Sequence, residues 1–308
     1  MTLLPAALAA ALLLAACGDT DTGMVPEPEY PFAALAVGTD TTFEAVTWNL
    51  KNFPLRNGET VDLVAQAILA IDPDVVALQE IENVSAFRAL LEALPGWQGH
   101  RASSAYASIN LAYLYKTEAV EALPAGIYEI YTDLRSPFPR APLVFELRAD
   151  GREVVLINNH FKCCGDGVLE AGEPGDEEFR RYEASRLLAE YVEDVFRDRA
   201  VIILGDLNDR IDDRLADNVF RPFLERPLQF RFADAEIAVG SAVEWSWAGS
   251  SYSHLDHILV TAELFDDLDE DAARVLTVRV DQVLPGGLPT YRSLVSDHRP
   301  VLLKLDLD

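Results

Sequence analysis

The sequence predicts an α/β fold built as a single layered domain, and three observations predict it. Short apolar runs alternate with segments whose apolar residues recur at helical spacing, the pattern of strands and helices taking turns along a chain. Several of the runs end in Asn, Asp, Glu or His. From Phe43 to Asp308 no internal repeat and no long linker interrupts the alternation.

Phe43 to Asn49 reads as the first strand. Val61, Val64, Ala65, Ile68 and Leu69 then recur at helical spacing until Asp72-Pro73-Asp74, where the proline ring and its missing N–H stop the helix. Val75 to Gln79 is the next strand, Val84 to Leu94 a helix, and Asn110 to Lys116 and Val154 to Asn159 are extended. Glu177 to Arg197 is the longest helix the pattern allows. Val201 to Leu204, Leu255 to Val260, Arg274 to Val280 and Val301 to Leu305 complete the strands. With 308 residues, 50% of them hydrophobic, the chain can bury one large core.

Leu3 to Ala16 is apolar throughout and the first charged side chain is Asp19. That length suits the apolar centre of a signal peptide better than a helix crossing roughly 30 Å of hydrocarbon. The run ends in Leu14-Ala15-Ala16-Cys17, which resembles the bacterial lipobox, whose cysteine is lipidated and becomes the mature N-terminus. The chain departs from that pattern in having no Lys or Arg before the apolar run, and an ordinary secretory peptide is the alternative. Residues 19–30 hold Thr, Gly, Pro and acids with almost nothing to bury, so they read as a tether. The expected organisation is a lipoprotein-type signal peptide at 1–17, a flexible tether at 18–42 and a catalytic domain at 43–308, with order beginning near Phe43. Export to a bacterial cell envelope, periplasmic or surface-exposed and lipid-anchored through Cys17, follows from the lipobox.

The other cysteines, Cys163 and Cys164, are adjacent. In an exported chain they have three open fates: a vicinal disulfide, pairing between molecules, or free thiols. The absence of CxxC spacing argues against a thiolate zinc site. The formal net charge of −26 sets a limit on partners. Attraction to phosphates supplies most non-specific nucleic-acid affinity, so a surface this acidic repels duplex DNA except where a metal or an arginine cluster inverts the field.

Six polar clusters sit at strand ends: Asn49 in TWNLKN, Glu80 in ALQEIEN, Asn158 and His160 in INNHFK, Asp206 and Asn208 in LGDLND, Asp256 in SHLDHILV, and Asp297 and His298 in SDHRPV. Strand-end loops are where a rigid scaffold presents reactive groups, so these ends predict one convergent site. Oxygen-rich donors suit a hard cation, and Mg²⁺ takes one or two carboxylates while keeping several waters, with Mn²⁺ or Ca²⁺ as alternatives. Glu80 is the first choice of ligand.

In order and wording these clusters resemble the endonuclease/exonuclease/phosphatase superfamily, which includes DNase I-like nucleases, sphingomyelinases and inositol-polyphosphate phosphatases. The resemblance runs from about Phe43 to Leu305, and its weight lies in six motifs standing in the family's order, since each alone is weak. It implies a four-layered α/β sandwich, two facing mixed β-sheets flanked by helices. It implies that Asn49 helps hold the cation on Glu80, with Asp297 a further ligand, and that His160 and His298 donate to the phosphate. Asp256 resembles the carboxylate that orients the second histidine, and Asp206 the base that positions or deprotonates the attacking water. Asn208 would face the same side as Asp206 if the strand pleat persists, and would bind phosphate. Asn158 shares the side of His160 and is placed with the substrate ligands, as a brace of the site. Arg140 in SPFPRAPL resembles an arginine preceding a core strand in bacterial members, and could clamp phosphate bidentately.

Three features stand outside that scheme. His257 alternates to the face opposite Asp256 and reads as a packed core residue, His254 stands in the preceding loop, and His100 has no supporting neighbour. The segment between Cys163 and Arg180 inserts glycines and the acids Asp166, Glu170, Glu173 and Asp176; it lacks EF-hand spacing and reads as a solvated acidic loop. The function expected is hydrolysis of a phosphate ester, most simply a diester, by a monomer. A DNase-like endonuclease, a phosphomonoesterase or lipid phosphodiesterase, and a non-enzymatic anchored binding module are the alternatives. The last would require damaged motifs, and none of the six is damaged.

Overall fold

The computed structural model describes residues 32–105 and 108–307. Cys17, the signal segment and most of the tether lie outside them. In chain order the strands are β1 (Phe43–Phe53), β2 (Val75–Ile81), β3 (Trp97–Arg101), β4 (Asn110–Lys116), β5 (Val120–Glu129), β6 (Leu143–Ala149) and β7 (Arg152–His160). They continue with β8 (Ala200–Asp206), β9 (Phe230–Phe232), β10 (Trp247–Ala248), β11 (Tyr252–Ser253), β12 (Asp256–Thr261), β13 (Arg274–Thr277) and β14 (Val301–Leu305). The principal helices are α1 (Gly58–Ile71), α2 (Val84–Glu92) and α3 (Glu177–Val195).

Local chemistry sets the helix ends. Asp72 takes a left-handed conformation after α1 and its N–H returns to the Ile68 carbonyl at 2.9 Å, so Pro73 falls just past the last turn. The Asn83 side chain accepts from the N–H groups of Ser85 and Ala86, capping α2. Asp176 caps α3 by accepting from Phe179 N, which gives one of the acids in the glycine-rich insertion a local structural task.

Two six-stranded sheets form, in the orders β13-β14-β1-β2-β4-β3 and β5-β6-β7-β8-β12-β9, and each mixes one parallel pair with antiparallel neighbours. Their facing sides make the central core, where Phe43, Ala45, Val75 and Leu303 from one sheet meet Phe145, Leu156, Ile202 and Ile258 from the other. Alternate residues of β1 turn the other way. Val46, Trp48 and Leu50 pack beneath α1, α2 and Tyr291, while α3 covers the far side of the second sheet with Ala184, Leu188 and Val192. The result is the four-layered sandwich expected. Among the described residues no helix is long and apolar enough to cross a membrane.

Three expectations need adjustment. Packed structure begins before Phe43: a 3-10 turn at Phe32–Leu35 buries Phe32 and Leu35, and Val37 N and Gly38 N donate to Ile71 O. The segment expected as one strand from Arg274 to Val280 is β13 as far as Thr277, and Val280 instead opens a short helix. Strands β3, β5, β6 and β9 and the short pair β10–β11 are absent from the strands expected. β3 and β5 are sheet edges with half-exposed polar or Gly/Pro-containing sequences, β9 to β11 span two or three residues each, and β6 is an inner, largely buried strand whose apolar residues break strict alternation.

Candidate active site

One edge of the two sheets collects the polar clusters. His160 and Asp206 are the last residues of the parallel pair β7 and β8 and lie opposite each other in register. Asp256 opens the antiparallel strand β12 and also pairs with Asp206. Asn49 lies towards the end of β1, and Asp297 and His298 stand just before β14, antiparallel to β1, so both come to the same edge. The Asn49 amide crosses between the sheets and donates to Asp206 Oδ2 at 2.8 Å and to Glu80 Oε1 at 3.3 Å.

Backbone irregularity aims the first sheet's groups. The β2–β4 register shifts between Leu78 and Ile81, and within that bulge Glu80 has φ 60°. The β1–β2 register also shifts, between Asn49 and Phe53, where Lys51 and Asn52 have φ 44° and 49°. Non-glycine residues hold such conformations only where surrounding contacts impose them, and here the contacts are in the site. Lys51 N donates to Asn49 Oδ1 at 2.9 Å, and Asn52 N to Glu80 Oε2 at 2.8 Å. In the second sheet Gly205, beside Asp206, is needed as glycine. It has φ 146°, and a Cβ there would lie 2.0 Å from the Asn159 carbonyl oxygen.

The electrostatics separate the two histidines. His298 Nδ1 is 2.7 Å from Asp256 Oδ2 and its Nε2 is 3.9 Å from Asp206 Oδ2. Burial opposes its charge, but Asp256 and Asp206 outweigh burial and raise its pKa to about 10. His298 is therefore an imidazolium at neutral pH. His160 has the opposite balance: burial first, then the Arg140 and His298 cations, hold it well below its ordinary value. Its Nε2 lies 3.4 Å from Asp206 Oδ2, while its Nδ1 is buried without a partner. Of the two histidine donors expected, His298 is therefore the charged one and His160 the neutral one. Burial likewise pushes the Asp206 carboxyl up to about 7, with His298 pulling it down and Asp256 up.

Arg140 also reaches this site. It is 9% exposed, its Nε is buried without a partner, and no hydrogen bond or ion pair holds it among the described residues. The charges of Asp206 and Glu80 act on it from nearby. Asn208 arrives by a turn and not by the strand pleat: it has φ 55°, its N–H donates to Asp206 Oδ1 at 3.1 Å, and its Nδ2 donates to Phe161 O at 3.3 Å. Asn158 is corrected. It is fully buried, accepts from Gln79 Nε2 and gives both amide hydrogens to Leu78 O and Ala112 O, so it ties the sheets together and has no N–H left for a phosphate. Asp297 also departs from expectation, because its Oδ2 is held by Lys51 Nζ at 2.5 Å and is not open beside Glu80.

Several supporting residues escaped the sequence reading. Ser296 Oγ donates to Asn49 O at 2.6 Å and accepts from His298 N, linking two clusters through the first letter of SDH. Trp48 Nε1 and the Tyr291 hydroxyl both donate to His298 O. Ser246 Oγ accepts from Asp256 N at 3.1 Å. Behind β12, Asp234 Oδ2 receives His257 Nδ1 at 2.6 Å and His254 Nε2 at 2.8 Å, and His257 Nε2 reaches Asp209 O. This cluster has the composition of a metal site, but each ring nitrogen already has a hydrogen-bond partner, so it is a buried brace. His257 is thus the packed residue expected, and His254 belongs to the same brace, with its ring nitrogens on Asp234 Oδ2 and Ser246 N. Cys163 and Cys164, soon after His160, are exposed free thiols with sulfurs 3.1 Å apart.

Does a divalent cation fit these residues? Glu80 supplies the strongest indication. Its oxygens meet the Asn49 and Asn52 N–H groups, and the nearest ionisable nitrogen is His160 Nε2 at 3.9 Å, on a ring that burial keeps neutral. A carboxylate with no cationic side chain at hydrogen-bond distance, beside amide and carboxyl oxygens, is the donor set a hard cation takes. Asp206, Asp256 and His298 also cluster within metal-binding distance. An imidazolium is a donor and not a ligand, which leaves Glu80 and Asn49 as the candidate holders.

The model of the Endonuclease/Exonuclease/phosphatase family matches residues 46–298. The chain belongs to the endonuclease/exonuclease/phosphatase family. Family members are hydrolases, in general dependent on divalent metals, and act on phosphate esters or nucleic acids. No curated protein matches the sequence with significance. Among solved structures of the family fold, zebrafish (D. rerio) TDP2 complexed with a single-strand DNA product is 16% identical, with 86% of this chain and 99% of that one covered at a TM-score of 0.63. The human Nocturnin catalytic domain with bound sulfate is also 16% identical, covering 87% and 96% at 0.60. A Bacteroides thetaiotaomicron mannosyl-6-phosphatase is 16% identical, covering 85% and 99% at 0.60. At such identities the likeness establishes the fold alone.

Proposed function

We propose that the chain is an exported, Mg²⁺-dependent phosphodiesterase that hydrolyses its substrate by in-line attack of a water held by Asp206. The observation carrying this reading is the row His160, Asp206, Asp256 and His298, a carboxyl pushed to about 7 by burial between a neutral imidazole and an imidazolium. A base works best when its pKa lies near the working pH, and Asp206 meets that condition. His298 places a fixed positive charge where a non-bridging phosphate oxygen gains charge, and Asp256 keeps its ring oriented and protonated. His160 donates to a second oxygen through Nε2, and Asn208 and Arg140 bind the phosphate. Glu80 and Asn49 would hold the metal ion, which when bound supplies Lewis acidity to the phosphoryl group and stabilises the leaving oxygen. The route requires no covalent enzyme intermediate.

A second reading, hydrolysis of a phosphomonoester, is favoured by Arg140. A terminal phosphate offers one more charged oxygen than a diester, and a buried guanidinium without a protein partner suits it. A metal-supplemented screen of DNA, RNA, sphingomyelin, inositol phosphates, nucleotides and a small chromogenic diester separates the readings, with His160→Ala as the blank. Turnover of small diesters above monoesters is expected. With a net charge of −26, plasmid cleavage should be slow at low salt and rise as screening shortens the Debye length from about 30 Å at 0.01 M to about 10 Å at 0.1 M. A plasmid rate that is high at low salt and falls steeply would instead mark a nuclease with a basic groove.

Lipid anchoring at Cys17 belongs to the same proposal and rests on the lipobox alone. Cys17→Ser should move the protein from the membrane fraction to the soluble fraction with its turnover intact. Unchanged fractionation would remove the anchor from the account.

A further inference from the structure

Lys51 has no role in the scheme above, yet the backbone is bent to deliver it. Lys51 and Asn52 are two successive left-handed residues without being glycine, in the stretch where β1 leaves register with β2. The turn they make uses its N–H groups on Asn49 Oδ1 and Glu80 Oε2, the two residues that would hold a cation. It sends the Lys51 ammonium to Asp297 Oδ2 at 2.5 Å. The lysine side chain is 39% exposed and Asp297 14%, so the pair is open to solvent on one side.

Two carboxylates of the site differ in what they meet. Glu80 meets no charged partner at hydrogen-bond distance, only N–H groups of neutral amides. Asp297 is neutralised by the chain's own ammonium. A divalent ion bound to Asp297 would have to displace that ammonium or sit beside it as a like charge. A lysine ammonium is a compact point charge on a flexible stem, the kind of group that can occupy a cation's place next to a carboxylate and still present protons to a phosphate oxygen. We infer that Lys51 is a built-in cation standing where a second metal ion would otherwise bind, so that the cleft holds one divalent ion, at Glu80, and an ammonium on Asp297. This rests on the proposal that Glu80 and Asn49 hold a metal.

The test is to count ions. Crystals of the full chain soaked in Mn²⁺ should give one anomalous peak in the cleft, beside Glu80, and Mn²⁺ titration followed by electron paramagnetic resonance should show one tight ion per chain. Lys51→Met, which keeps the length of the side chain and removes its charge, should add a second and weaker ion on Asp297, and Asp297→Asn in that background should remove it again. Lys51→Arg, which keeps the charge, should stay at one. Two ions in the wild-type cleft, or a single ion in a folded Lys51→Met, would overturn the inference while leaving the metal-dependent reading intact. No ion in the wild-type cleft would overturn both. The wild-type map needs no variant, so a misfolded Lys51→Met cannot rescue the idea.

Discussion

Replacing Asp206 by asparagine should lower turnover by about 10³–10⁴-fold, in line with loss of a positioned base, while leaving the melting temperature unchanged or slightly raised. The two halves of that expectation come from different properties of one residue. Asp206 is 2% exposed, and burial pushes its carboxyl up to about 7, so the fold is already resisting its charge. Asparagine is neutral and nearly the same size. Its oxygen can still accept from Asn208 N or from the Asn49 amide, which are the bonds Asp206 makes. What it cannot do is take a proton from water. Single-turnover rates with a thermal melt on the same sample separate the two effects. A variant that kept turnover within tenfold of wild type would remove Asp206 from the mechanism.

His298→Ala should cost about 10²–10³-fold, the range for losing one preorganised donor to a developing negative charge. Asp256 makes no contact with substrate in this account and acts through the imidazolium 2.7 Å away. Asp256→Ala should therefore reduce turnover in the wild type and change it little further in a His298→Ala background, staying within about threefold of that single variant. Strictly additive losses across the double-mutant cycle would show that Asp256 works independently and would dissolve the dyad. The comparison also controls for folding, because Asp256 N is held by Ser246 through its backbone, a bond that survives side-chain truncation.

The sequence carried the site further than it carried the fold's edges, for physical reasons. Polar groups at buried strand ends follow strong apolar runs, so Asn49, Glu80, His160, Asp206, Asp256 and His298 could all be placed in order before any geometry was known. Edge strands β3 and β5 bury too little to impose a pattern, and the inner strand β6 goes unread as well because its apolar residues do not alternate strictly. The errors within the site share one cause: sequence spacing gives the face a residue shares, not the partner it meets. Asn158 does share the side of His160, but there it meets Gln79 and two carbonyls across the sandwich. Asp297 does stand at the cleft, but Lys51 reaches it first, through a backbone bulge that no residue type announces. The split between a charged His298 and a neutral His160 was equally hidden, since it depends on Asp256 beside one ring and, around the other, on burial first and the Arg140 charge second.

Chelation tests the central claim most directly. The purified full chain, stripped with excess EDTA and dialysed, should be inactive on a small chromogenic phosphodiester. Mg²⁺ should then restore its rate, while Asp206→Asn and His160→Ala stay near baseline under the same additions. Full hydrolysis in excess EDTA, or equal recovery of the Asp206→Asn variant on adding Mg²⁺, would contradict a metal-dependent attack of water at this site.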